Sequence, residues 1–254
     1  MADGLARRHV LLTRPAEESA GLSERLQRLG AVPLVFPALV IEPLWNAQLP
    51  PQLERARRAA FIVFVSPSAV RCYFDALARA GVPADSPARA VAIGPGTARA
   101  LGRHGIAEVL VPEQQYDSDA VAALPELGDP AGQAVAIVCG IGGRRSLGSE
   151  LAARGAAVEH IECYRRVRPQ ASPADLIAVW ERDGIAAALL TSSEGVRNLW
   201  DILGETGRRL WRDTPTFVPH ERIRSAGAGL GLRRIVVTGP GDDAMLAALT
   251  EFFR

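Results

Sequence analysis

The chain repeats itself at long range. The run A-L-L-T-S-S-E-G-V-R at 188–197 restates V-F-V-S-P-S-A-V-R at 63–71. Each is an apolar run that stops at a short hydroxyl-rich turn and resumes at helical spacing. Around this pair the remaining segments fall into matching order. The first unit opens with His9–Pro15, H-V-L-L-T-R-P, whose short apolar run has the form of a buried parallel strand. Leu22, Leu26 and Leu29 then recur at helical spacing, Gly30 takes the C-cap place, and Val32–Phe36 is the next strand. The second unit is Phe61–Gly81: the strand F-I-V-F-V, Ser66 as N-cap, then Val70, Tyr73, Phe74 and Leu77 on one helical face. The third, Ala90–Pro112, has the strand A-V-A-I, the turn Gly94-Pro95-Gly96, Thr97 as N-cap, a helix ended by Gly105 and the strand V-L-V. Asp117-Ser118-Asp119 starts a short helix through Leu124.

The series then restarts. Ala134–Val138, a glycine-rich turn, Leu147 and Leu151, Gly155 and a strand at Val158 repeat the first unit. Ala186–Leu203 repeats the second, Thr216–Val237 the third, and Asp242–Leu249 echoes Asp117–Leu124. Strands that alternate with helices predict an α/β fold with parallel sheets, and two copies predict two similar domains. Two stretches, Val32–Pro43 and Val158–Pro169, share a further form: each follows a Gly-Ala helix end and stops at a proline, which cannot continue a central ladder.

Composition narrows the chemistry. In 254 residues the formal net charge is +1, which argues against a general nucleic-acid binder. Cys72, Cys139 and Cys163 are scattered and odd in number, so a complete intrachain disulfide framework is impossible and a cytoplasmic protein is expected. No apolar run is long enough to span a bilayer, and M-A-D-G-L-A-R-R lacks the apolar core of a signal peptide. There is no phosphate-loop motif, no complete dinucleotide fingerprint, no G-x-S-x-G elbow, and no metal-ligand spacing among His9, His104, His160 and His220.

Ligands of open parallel sheets bind beyond the carboxyl ends of the strands. The turns there hold the candidate binding residues Arg14, Ser66, Ser68, Gly96, Thr97, Gly142, Arg144, Ser192, Ser193 and His220. Most lead into helices, whose N-termini present free N–H groups, so the set favours a ligand bearing carboxylates or phosphates. Tyr164 stands apart, a phenol beside Arg165 and Arg166 at a strand end. On these features alone, a non-catalytic two-domain protein binding a small anion suits the chain as well as an enzyme does.

Several stretches bear a family likeness. They are V-L-L-T-R-P with a helix ending R-L-G-A, F-V-S-P-S-A-V-R, V-A-I-G-P-G-T-A-R-A-L, G-G-R followed by L-A-A-R-G-A-A-V, E-C-Y-R-R-V, and L-L-T-S-S-E-G-V-R-N-L. In number and order they resemble the uroporphyrinogen-III synthases over nearly the whole chain. The resemblance implies two flavodoxin-like domains with parallel sheets joined by a two-stranded connector. One domain would hold about 1–38 with 170–254, and the other about 42–165. It implies conversion of hydroxymethylbilane, a linear tetrapyrrole rich in carboxylates, to uroporphyrinogen III, with no cofactor or metal and by a monomer. Tyr164 matches a tyrosine proposed to help expel hydroxide in the family, and Thr97 matches the threonine after G-x-x. The chain departs from the family pattern at Pro219-His220-Glu221, where a hydroxyl residue often follows the proline, and at Cys139-Gly140, where the family often has R-G.

Overall fold

The computed structural model describes residues 4–113, 115–143 and 145–254. The chain divides into two compact units, Met1–Val40 with Val167–Arg254, and Ile41–Arg166.

The first unit is built on β1 (His9–Leu12), α1 (Ala16–Arg28) and β2 (Val32–Val35), and resumes with α7 (Ala174–Arg182), β9 (Ala187–Leu189), α8 (Ser193–Arg212), β10 (Thr216–Val218), α9 (Glu221–Gly229), β11 (Ile235–Val237) and α10 (Asp242–Phe252). Its sheet runs β2-β1-β9-β10-β11, all parallel. Relabelled by motif, that is the 2-1-3-4-5 order of a doubly wound flavodoxin-like sheet. The strands are only three or four residues long, but Val10, Leu11, Leu12, Ala187, Ala188 and Leu189 are all buried, because helices cover both faces. Leu11, Ala188 and Val218 pack with Trp211 and Leu199 on one face. Val10, Leu12 and Phe217 pack with Leu22, Leu26 and Leu249 on the other.

The second unit contains β3 (Val40–Pro43), α2 (Leu49–Arg57), β4 (Phe61–Phe64), α3 (Pro67–Ala80), β5 (Arg89–Ala92), α4 (Pro95–Arg103), β6 (Val109–Leu110), α5 (Ser118–Ala122), β7 (Ala134–Gly140), α6 (Ser146–Ala153) and β8 (Ala157–Val167). Its sheet order is β3-β8-β7-β4-β5-β6. Omitting the edge strand β3, β8-β7-β4-β5-β6 is again 2-1-3-4-5, all parallel. The strand–helix–strand motif that heads each sheet therefore comes from the other half of the sequence. β1 pairs with β9, and β7 pairs with β4.

Several local readings are corrected. Val32–Pro43 is two strands broken at Phe36–Leu39, not one exit. Of the two Pro-ended stretches, β3 and β8 lie side by side in the six-stranded sheet. The N-cap of α4 is Gly94, and Thr97 lies inside the first turn with only 2% of its surface exposed. The helix after Ser192 does not stop at Leu203: α8 continues to Arg212 across a break at Gly204, where φ 60° and ψ −168° suit only glycine. Two helices had no counterpart in the sequence reading, α2 and α7. Among the described residues no helix is long and apolar enough to cross a membrane.

Candidate functional site

In a 2-1-3-4-5 sheet the crevice lies where strand order reverses. In the second unit that point falls between β7 and β4, and it gathers Ser66, Gly140 and Tyr164. β4 ends at Phe64, and Ser66 takes the N-cap position of α3, its Oγ accepting the Ala69 N–H at 3.0 Å. β8 reaches the same end of the sheet after an irregularity in register. Cys139 pairs with Glu162 but Gly140 with Tyr164, so Cys163 is the extra residue. This shift turns the Tyr164 side chain into the core, where it is 2% exposed. The Tyr164 hydroxyl lies 3.1 Å from Ser66 Oγ. Its backbone carbonyl accepts the Ile141 N–H at 2.9 Å.

Gly140 is required by this arrangement. A Cβ there would stand 2.5 Å from Tyr164 Cε2, so the phenol ring rests directly on the glycine backbone. Burial pushes the Tyr164 pKa up, more than the Ser66 hydrogen bond and the Arg166 charge pull it down. The phenol is therefore neutral near pH 7 and able to donate. A serine oxygen has two lone pairs. If one accepts the Ala69 N–H and the other accepts from Tyr164, the half-buried Ser66 still has its own proton to offer a ligand. The Cys139 thiol, next to Gly140, is pushed up to about 11 by burial, which removes it as a nucleophile.

The turn after β5 adjoins this pair. A Cβ on Gly96 would lie 3.9 Å from Pro67 Cγ, so the first turns of α3 and α4 are neighbours. Gly96 is exposed, Thr97 and Ser68 are buried, and Arg99 has an exposed side chain one turn on. Tyr116 covers the N-cap from above, with its Cβ 3.0 Å from where a Cβ on Gly94 would be. Gly142 is exposed in the turn after β7. Arg144 lies outside the described residues.

The first unit has a corresponding crevice between β1 and β9. The Thr13 hydroxyl donates to the Leu189 carbonyl at 3.0 Å and ties the two strand ends together. Arg14 Nη1 meets Asp242 Oδ1 at 3.0 Å, while Arg14 Nη2 is buried with no hydrogen-bond partner among the described residues. Ser192 caps α8, accepting the Gly195 N–H at 2.9 Å. Ser193 Oγ is a second buried polar atom without a partner among the described residues. His220 occupies the N-cap position of α9 in an extended conformation, exposed, with no side-chain hydrogen bond to the helix.

The structure thus collects Ser66, Gly96, Thr97 and Tyr164 in one unit, and Arg14, Ser192, Ser193 and His220 in the other. The sequence reading names Gly140 only within the turn Cys139-Gly140, with no contact to Tyr164, and does not single out Tyr116 or Arg99. Gly140 and Tyr116 matter through contacts spanning more than twenty residues, which no local pattern encodes. Arg99 could have been found as the only cation in the opening turns of α4.

Comparison with known proteins gives a consistent result. A family model described as uroporphyrinogen-III synthase HemD matches residues 20–247. The uroporphyrinogen-III synthase of Salmonella typhimurium is 33% identical over 245 residues, covering 94% of this chain and 99% of that protein. The Escherichia coli (strain K12) protein of the same name is 31% identical over 243 residues, with 94% and 99% covered. Among solved structures, the uroporphyrinogen-III synthetase of Helicobacter pylori superposes with a TM-score of 0.61 at 13% identity, covering 96% of this chain and 99% of that one. A mutant uroporphyrinogen III synthase from Thermus thermophilus gives 0.60 at 20% identity, covering 96% and 98%. At those identities the two structures establish the α/β fold with parallel sheets and nothing further.

Proposed function

This chain belongs to the uroporphyrinogen-III synthase family, and from that premise we propose that it closes hydroxymethylbilane into uroporphyrinogen III in tetrapyrrole biosynthesis. It is an enzyme of the cyclising lyase type. The observation that carries the reading is identity above 30% across 94% of the chain.

The reaction breaks the C–O bond of the hydroxymethyl group and forms a C–C bond from that methylene to the substituted carbon of the last pyrrole. The bond from this carbon to its former bridge then breaks, and the bridge re-forms on the ring's free α-carbon. The proton lost there leaves with the hydroxyl as water, so that the last ring is inverted. The linear substrate also closes unaided to the wrong isomer, so much of the protein's task is orientation. The turns at Arg14, Ser66, Gly96 and Ser192 suit that task, since helix N-termini and an arginine can hold carboxylates. For Tyr164 we propose a hydrogen-bonding role toward the departing hydroxyl, exerted beside or through Ser66. Its support is the 3.1 Å contact and a neutral phenol whose pKa burial raises further. A raised pKa makes a weaker acid, which favours polarisation of the leaving group over full proton transfer.

The reading carries with it a cytoplasmic monomer that needs no metal or organic cofactor. Chelator-treated protein, monomeric by light scattering, should convert hydroxymethylbilane to the type III isomer. Chromatography showing only the type I isomer would end the proposal.

A further inference from the structure

A helix N-terminus carries about half a positive charge, which an acidic residue in the first turn offsets. In the unit Met1–Val40 with Val167–Arg254, the helices that follow β1, β9, β10 and β11 all have one: Glu17 and Glu18 in α1, Glu194 in α8, Glu221 in α9, and Asp242 and Asp243 in α10. In the unit Ile41–Arg166, α3, α4 and α6 have no acid in the first turn, and of the helices after β4, β5, β6 and β7 only the short α5 has one, Asp119. The two crevices therefore share a strand order but differ in charge. One is neutralised by its own carboxylates, and the other keeps uncompensated positive ends.

Arg99 adds to that excess. Helical side chains lean toward the N-terminus, and the Arg99 guanidinium does so, with Nη2 4.0 Å from where a Cβ on Gly96 would be. Pro67, next to the Ser66 cap of α3, comes within 3.9 Å of the same point. A cation there is repelled by the helix end, and nothing in the unit offsets this: Arg99 is exposed and has no ion-pair partner among the described residues. Asp117, which follows the Tyr116 that covers Gly94, is engaged in capping α5, accepting the Ala120 N–H at 2.9 Å. Three sources of positive potential, the first turns of α3 and α4 and the guanidinium, thus meet beside Ser66. We propose that Arg99 is a specificity-determining residue, pairing with a substrate carboxylate that lies against the first turn of α4. The inference rests on the reaction proposed above, whose substrate is rich in carboxylates.

Two readouts on the full-length protein keep this inference separate from that reaction. Kinetics with hydroxymethylbilane give kcat and KM. Titration with uroporphyrin III, the coloured oxidation product of uroporphyrinogen III, gives a Kd without catalysis. Arg99→Gln should raise KM and Kd about tenfold, the usual size of a charge-assisted hydrogen bond, and leave kcat unchanged. Arg99→Lys should recover part of the loss, keeping the charge without the fork of donors. Arg103→Gln removes the same charge from the last turn of the same helix and should bind as the parent does. Gly96→Asp puts a carboxylate at the helix N-terminus, where a Cβ meets only ordinary contacts. It should melt no lower than the parent and still weaken binding. Arg99→Gln should also melt no lower, since it removes a charge that the helix end repels. Unchanged KM and Kd in Arg99→Gln, an equal loss in Arg103→Gln, a fall confined to kcat, or parent-like binding in Gly96→Asp would each overturn the proposal. A parent that made only the type I isomer would end the reaction reading, and the Kd comparison judges Arg99 in either case.

Discussion

Tyr164 is held by two contacts that can be removed separately. Tyr164→Phe keeps the ring against Gly140 and deletes only the hydroxyl bonded to Ser66. Type III formation should fall, by up to about 100-fold, the low end of general acid effects. The melting temperature should stay at the parent value. A variant with full activity at limiting and saturating substrate would make Tyr164 a packing residue. Gly140→Ala should instead lower both activity and stability, the latter by about 1–3 kcal/mol, because its Cβ collides with the ring. The pH dependence has a definite sign. A phenol whose folded pKa is raised contributes stability below the unfolded value near ~10, and loses it as pH rises through the folded value. Below that range the parent and Tyr164→Phe should share one stability–pH curve. At this scale the sequence announced Tyr164 as a phenol beside two arginines, although β8 runs three residues past it and not to an end there. It could not announce Gly140, whose partner lies 24 residues away across a register shift.

Among the elements, helices behind proline were the hardest to read. α2 begins Leu49-Pro50-Pro51, a run that reads as loop, although proline is tolerated in a first helical turn where the N–H is unpaired anyway. α7 follows a Pro- and Ser-rich stretch, and its amphipathic face of Leu176 and Trp180 was overlooked for that neighbourhood. The repeated strand–turn–helix units were legible because apolar runs, hydroxyl caps and glycine stops recur in step. Which βαβ motif heads which sheet was not written locally, since β1 could pair with β4 or with β9 on apolar pattern alone. Only the family resemblance suggested the exchange. We propose that each unit is a domain able to fold alone once its strands are complete. A fragment of residues 41–166 should then unfold cooperatively in denaturant. Residues 169–254 by themselves should not, because β9 would lose β1 and β2 and expose an apolar edge. A cooperative transition in 169–254, read by circular dichroism, would contradict this.

For the molecule as a whole, duplication explains more than any single motif. Two sheets of the same order each carry apolar clusters on both faces, and each gathers its turns at a reversal of strand order. The pairing of β1 with β9 has a further consequence for a chain made on a ribosome. The segment from His9 to Val35 emerges first, yet the strand that must flank it begins at Ala187. The ribosome must add roughly 150 more residues, roughly 8–30 s at ~5–20 residues per second, before that partner exists. By the time that partner strand itself leaves the tunnel, everything needed by the sheet of residues 41–166 is already outside. The nascent chain should therefore pass through a stage with a finished middle and a waiting beginning, a natural client for a chaperone. Brief proteolysis of chains stalled with residue 166 outside the tunnel and β9 still within it should cut within residues 1–40 and spare 41–166. Protection of the leading segment at that stage would mean that it finds shelter before its strand partner is made.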